Sequence, residues 1–437
     1  MIFFLKIVLF YISFPVAEPK CMECSILTPL IESGRAEEAR KISEVNPTKF
    51  LGVKSHSGFI TVNKGFNSNL FFWFFPKEGL EKTPWIIWLQ GGPGISSMIG
   101  LFYLFGPLQI VRGEVTLRNV TWADDYSLLF LDNPVGAGFS FTDDDLGYPD
   151  NTDDIGAQMY EFLQQFLLMF PELLKAPLFI GGESYGGKYV PALAIQVHRH
   201  RNSLAIPLRG ILMGGGFIDP RTLMHYSKFC KAIGVLNDES IQMIEKAERD
   251  IVHFIDNKKM VAAADLFNKT LEYIKKEGGI SLYNFEKNPV TSAPEFEEFL
   301  SKKKVKNWIH VGNATFDLNN QVVYQKMLPD IMNTTKPWVE ELLEHYGVLC
   351  YSGQLDIIVA YSSSKHTYNA LQWSGKEKYV AAPRYMLRIS KNDPFIGYRK
   401  SGGNFVEVLI RSAGHATMVE QPVATKFVIN SFIDEFK

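Results

Sequence analysis

Cysteine is scarce in this chain, with only Cys21, Cys24, Cys230 and Cys350 among 437 residues. Four cysteines permit three pairings, and spacing does not choose among them. The fold is therefore not stapled together by disulfides and must rest on a packed core. Cys21 and Cys24 lack the further partners that a zinc or redox site needs. Cys350 lies inside an apolar run and is expected as a buried free thiol. Charge of one sign is scarce too, since 45 basic and 47 acidic residues leave a net −2, with a pI near 6.5. No long basic run or basic–aromatic interleaving appears, so nucleic acid is not an expected partner. No His, Cys and carboxylate cluster has ligand spacing, so neither a metal nor an organic cofactor is called for. Beyond the first residues, no apolar stretch approaches the ~20 residues of a membrane span.

What the chain does have is apolar mass, at 46% hydrophobic and 13% aromatic residues, enough for a large core. Residues 1–17 are apolar apart from Lys6, are short for a span, and end in small residues before Glu18-Pro19-Lys20. They read as a signal peptide, leaving 18–437 as a single domain without stable membrane insertion. Asn119, Asn268, Asn313 and Asn333 each open an Asn-X-Ser/Thr sequon, as glycosylation in the secretory pathway requires. The destination, secreted or lysosomal, stays open, as does the oligomeric state, a homodimer included.

Short apolar runs at 85–89, 127–131, 178–180, 210–213, 347–351 and 405–410 read as buried strands. Helical patterns lie between them, at 154–170 and 337–346 for example. This alternation predicts an α/β fold whose mostly parallel sheet has helices on both faces. The charged, helix-rich stretch at about 219–308 breaks the alternation and is expected as a cap inserted over the C-terminal edge of the sheet.

Gly182-Glu183-Ser184-Tyr185-Gly186 falls where a buried strand meets a helix. A serine between two glycines at such a junction can occupy a sharp turn and hold its hydroxyl clear of the sheet. In a chain with 34 glycines the pentapeptide alone is a weak signal. Its company strengthens it. Serine needs a base, and the base needs a group that holds its tautomer. Of nine histidines, His198, His200, His225, His253 and His345 lie in polar helical stretches expected to face solvent. His56 and His366 are in polar surroundings without a motif, and His310 reads as a packed ring. His415 instead follows the last strand through Arg411-Ser412-Ala413-Gly414, and Asp356 follows the strand before it through Ser352-Gly353-Gln354-Leu355. Ser184, Asp356 and His415 thus fall beyond three strand ends in the order expected of an α/β-hydrolase fold. Gln90-Gly91-Gly92-Pro93-Gly94 follows strand 85–89, where the backbone N–H groups of Gly92 and Tyr185 can meet one developing oxyanion.

Six blocks in order resemble the serine carboxypeptidases, most of all their vitellogenic carboxypeptidase-like branch. They are residues 57–63, 69–75, 88–94, 132–140, 182–191 and 351–356. The resemblance runs from about Thr28 to the C-terminus. It implies a serine-type carboxypeptidase releasing the C-terminal residue of peptides or proteins through an acyl-enzyme. Ser184 is then the nucleophile, His415 the base and Asp356 its orienter, with Gly92 and Tyr185 as the oxyanion hole. Gln90, the Gly91 N–H and Glu183 match positions that grip the substrate carboxylate.

The chain also departs from that pattern. Relatives keep the counterpart of Glu183 protonated with a second glutamate, and the matching position here is Leu104. Ile95 replaces a common cysteine, Gly215 an asparagine or aspartate, and Met418 a proline that stiffens the loop after His415. An altered grip on the free carboxylate is expected. An acyltransferase or esterase on this scaffold, or a binding or protective protein that retains the motifs, are the alternatives.

Overall fold

Each apolar run read from the sequence becomes a strand of one large sheet. The computed structural model describes residue 21 and residues 23–288 and 294–437, so the expected signal peptide lies outside the described residues. In chain order the strands are β1 (Glu44–Val45), β2 (Ser55–Asn63), β3 (Ser68–Phe75), β4 (Trp85–Leu89), β5 (Leu108–Val111), β6 (Glu114–Leu117) and β7 (Ser127–Leu131). They continue with β8 (Leu178–Glu183), β9 (Leu208–Gly214), β10 (Gly347–Gly353), β11 (Tyr385–Leu387), β12 (Gly397–Gly402) and β13 (Phe405–Ile410). Eleven form the main sheet in the order β1-β2-β3-β7-β4-β8-β9-β10-β13-β12-β11, and β5 and β6 make a separate hairpin. From β7 to β13 the neighbours are parallel. Antiparallel strands flank them on both sides.

The alternation of side chains along a strand builds two cores, one on each face. On β4, Trp85, Ile87 and Leu89 enter one core with Leu129, Leu131 and Ile180. Ile86 and Trp88 enter the other with Leu128, Phe130 and Phe179. Helices Thr152–Met169 and Gly186–Arg199 cover the first, through residues such as Ile155, Phe166 and Val190. Helix Pro422–Phe436 covers the second through Val428, Ile429 and Phe432. Burial on both faces explains why the central strands read as unbroken apolar runs.

Between β9 and β10 the described residues form helices and no strand. Asp238–Asp256 and Met260–Gly278 are the longest of them, and Asn237 caps the first by accepting the Ser240 N–H. Residues 281–287 then turn back onto the loops that follow β10 and β13. Among the described residues, no helix is long and apolar enough to cross a membrane. Cys21 and Cys24 form a disulfide, and Cys230 and Cys350 are buried free thiols.

Candidate active site

Ser184 stands between the end of β8 and helix Gly186–Arg199 with φ +62°, in the left-handed region that non-glycine residues seldom adopt. Such a conformation costs on the order of 1–3 kcal/mol and persists where the surroundings over-determine it. Here the Ser184 N–H donates to Gly214 O (2.9 Å), and its carbonyl accepts from Gly187 and Phe217 (2.9 Å each). Both motif glycines are required by close approach: a Cβ at Gly182 or Gly186 would lie 2.5 or 2.7 Å from Leu89 O.

The loop after β4 lies directly against this elbow. A Cβ at Gly91 would be 2.5 Å from Tyr185 N and 2.9 Å from Ser184 Cβ. The N–H groups of Gly92 and Tyr185 have no backbone carbonyl partner among the described residues. Asp132, fully buried, braces the loop: it accepts from Ser96 Oγ (2.6 Å), Ser97 N (2.9 Å) and Phe139 N (2.9 Å). Ser97 Oγ in turn accepts the Gln90 N–H (3.0 Å).

Asp356 and His415 meet on the other side. His415 Nδ1 is 2.7 Å from Asp356 Oδ2, and Asp356 Oδ1 accepts the Val359 N–H (3.0 Å). The distal nitrogen, Nε2, is buried without a partner. Gly215 joins the two sides. It follows the residue that accepts the Ser184 N–H, and a Cβ there would be 2.9 Å from the His415 ring and 3.3 Å from Asp356 Oδ2. Burial alone lowers the imidazole pKa, but the charge and bond of Asp356, with the nearby Glu183 charge, push it up to about 9.

Gln90 and Glu183 form a second buried pair. Trp88 Nε1 donates to Gln90 Oε1 (3.0 Å), which turns the amide so that Nε2 donates to Glu183 Oε1 (3.0 Å). Glu183 Oε2 is buried and unbonded. Burial pushes this carboxyl upward, against the opposing pull of His415 and the Gln90 bond. Leu104 is buried in one cluster with Tyr351 and Met418, and contributes no second carboxyl.

All eight residues expected at the site, Gln90, Gly91, Gly92, Glu183, Ser184, Tyr185, Asp356 and His415, therefore lie at one edge of the sheet, Glu183 at the end of β8 and the others on the segments that follow β4, β8, β10 and β13. The sequon asparagines lie elsewhere. Asn119, Asn313 and Asn333 are exposed, whereas Asn268 is part of a helix and accepts from Tyr324 Oη (2.9 Å). Two histidine readings need correction. His56 is buried beneath Phe170 (5.0 Å between rings), because its strand lies under helix Thr152–Met169. His198 is buried and stacked on His345 (4.5 Å), with Nδ1 3.0 Å from Tyr346 Oη, because helix Lys336–Leu343 packs over its helix. Sequence reasoning missed Trp88 and Ser97 as supports of Gln90. Asp132 sat in a recognised block without a role, and nothing local marked Asn284 or Glu420, which hold the His415 loop.

A family profile described as serine carboxypeptidase matches residues 46–435. The chain is 39% identical to a probable serine carboxypeptidase, CPVL, of Homo sapiens over 427 residues, covering 93% of this chain and 89% of that one. It is 39% identical to the vitellogenic carboxypeptidase of Aedes aegypti, with 93% and 89% covered. It is 38% identical to a venom serine carboxypeptidase of Apis mellifera, with 91% and 88% covered. In fold it is similar to a prohormone-processing carboxypeptidase of Saccharomyces cerevisiae, with a TM-score of 0.80 at 21% identity, covering 91% of this chain and 96% of the other.

Proposed function

The chain belongs to the serine carboxypeptidase family, and on that premise we propose that it removes single residues from peptide C-termini through an acyl-enzyme on Ser184. The observation that carries this reading is His415, held at Nδ1 by a buried carboxylate, bare at Nε2, and packed on Gly215, the residue after the one that bonds the left-handed elbow of Ser184. Nε2 takes the Ser184 proton as Oγ bonds to the scissile carbonyl carbon. Asp356 fixes the tautomer and stabilises the imidazolium. The oxyanion receives the N–H groups of Gly92 and Tyr185, a stabilisation worth ~3–4 kcal/mol per donor. Collapse breaks the C–N bond while His415 returns the proton to the leaving amine. Water, deprotonated by the same imidazole, then attacks the ester and frees Ser184.

Specificity for a free C-terminus comes from the second pair. A protonated Glu183 donates from Oε2 to the substrate carboxylate, beside the amide of Gln90 and the Gly91 N–H. Its burial favours the neutral carboxyl that this donation needs. A second reading, an acyltransferase or esterase, is favoured by Leu104, a buried apolar residue at the position where the resemblance implies a second glutamate. The leader-like residues 1–17 and the exposed sequons at Asn119, Asn313 and Asn333 support a secretory route, with secretion or lysosomal delivery as the end point.

Matched N-blocked peptides with free or amidated C-termini test the reading. Release of one residue from the free form, absent in Ser184→Ala, is the expected result. Fluorophosphonate labelling with no preference between the two peptides supports the second reading, and no labelling points to a non-catalytic role. Leu104→Glu is expected to raise kcat/KM on free-acid peptides more than on simple esters. Equal changes on both contradict the altered grip.

A further inference from the structure

Asp356 and His415 sit on loops after two different strands, yet both loops are fastened to one short turn that belongs to neither. Leu282 O accepts the N–H groups of Ile357 (2.9 Å) and Ile358 (3.0 Å), and the Phe285 N–H donates to Leu355 O (3.1 Å). Those bonds grip the Asp356 loop. On the other side, the His415 N–H donates to Tyr283 O (2.7 Å). Asn284 Nδ2 lies 2.9 Å from both oxygens of Glu420, whose Oε2 also accepts the Gly414 N–H. Lys287 completes the set on Glu420 Oε1. Asn284 is 4% exposed and the Glu420 side chain 13%, so these bonds are shielded from water. Burial pushes the Glu420 carboxyl up, but Lys287, Gly414 and Asn284 outweigh it and hold the group below its usual range.

We propose that Glu420 and Asn284 are positioning residues for His415, forming with backbone 282–285 a clasp through which the helical insertion sets the Asp356–His415 pair. The inference rests on His415 being the base in the reading above. Its physical basis is the residue before the histidine. Gly414 lets the loop pass close against the turn, since a Cβ there would collide with Tyr283 O and lie 2.7 Å from Asn284 Cβ. Its N–H and that of His415 are adjacent donors, one held by Glu420 and one by Tyr283 O. Together they fix two successive peptide units and so the direction of the imidazole. Without Glu420, one of these two N–H bonds is lost, and the His415 N–H, the Tyr283 ring 5.5 Å from the imidazole and the bond to Asp356 are left to aim the ring. A misplacement of about 1 Å from a change outside the reacting groups can cost ~10²-fold in rate.

The test uses the full chain with Asn284→Ala, Glu420→Ala and Glu420→Gln. The last keeps an oxygen able to accept the Gly414 N–H. Kinetics, fluorophosphonate labelling rates and melting temperatures are measured, with the low-field proton resonance of the His415 Nδ1–H as a reporter independent of turnover. The two alanine variants are expected to lose kcat by ~10- to 100-fold with KM within about twofold, and to shift or broaden that resonance. Glu420→Gln is expected to recover most of both. Wild-type kcat in folded alanine variants overturns the proposal. So does lost activity that tracks only a lower melting temperature while the resonance is unmoved. If a Glu420 variant fails to fold, Asn284→Ala decides by the same criteria. If the wild type takes no fluorophosphonate, the reading of Ser184 falls, while the resonance still decides the clasp.

Discussion

The elbow that carries Ser184 and the loop that carries His415 are held by different means. The elbow is fixed by the sheet itself: Gly214 and Leu89, on the two strands flanking β8, crowd or bond it, and Gly187 and Phe217 complete its bonds. The His415 loop leaves β13 and finds its partners in a turn of the insertion, with Asn284 and Glu420 separated by 136 positions. The proposed nucleophile is thus held by the sheet, whereas the proposed base is bonded to two structural units at once. Strain at Ser184 is tolerated because the strands beside it are buried and both its N–H and its carbonyl are bonded. The direction of His415 depends on bonds that any shift of the insertion disturbs.

The largest effects are expected where the chemistry itself is removed. Ser184→Ala should lower kcat on the order of 10⁶-fold without loss of fold, measured on N-blocked peptides. Asp356→Asn should cost about 10⁴-fold, since it leaves the shape but reverses the tautomer of His415. A loss for Asp356→Asn of only a few-fold would mean that the insertion turn alone aims the ring.

pH separates the two buried pairs. His415 must be neutral to accept a proton, so kcat on amidated or ester substrates should rise with pH through its raised pKa. Glu183 must be protonated to donate, so affinity for free-acid peptides should fall as pH rises through its own raised pKa. The optimum for free-acid peptides should therefore lie at lower pH than that for amidated ones. Glu183→Gln, which donates at any pH, should merge the two profiles. Profiles already identical in the wild type would remove Glu183 from carboxylate recognition.

A smaller effect is expected from Gly215→Ala, whose Cβ at 2.9 Å must displace the His415 ring and lower kcat about tenfold or more. The smallest should come from Lys287→Ala. Its ammonium is mostly exposed, and an exposed ion pair is worth ~0–1 kcal/mol, so melting temperature and kcat should hardly change. A large loss there would mean that the clasp rests on charge and not on the buried amide of Asn284.

The same contrast explains what could be read from residues alone. The six central strands were legible because burial on both faces leaves apolar runs, and Ser184 because two glycines punctuate a strand–helix junction. Asp356 and His415 were legible as polar residues just beyond strand ends. β12 was not, since Gly397-Tyr398-Arg399-Lys400-Ser401-Gly402 has no strand-like composition and is defined by its register on β13. The burial of His56 and His198 was hidden for a similar reason, because the helices that cover them come from distant segments. The Asn284–Glu420 contact had no local signal either, being made by tertiary folding alone.

The most direct test is the intact mass of the full chain after reaction with a fluorophosphonate, followed by peptide mapping. One adduct is expected, on Ser184, formed at least a hundredfold more slowly in His415→Ala, the order expected for losing a general base. No adduct on the wild type, an adduct on another residue, or equal rates in the two proteins would contradict that expectation.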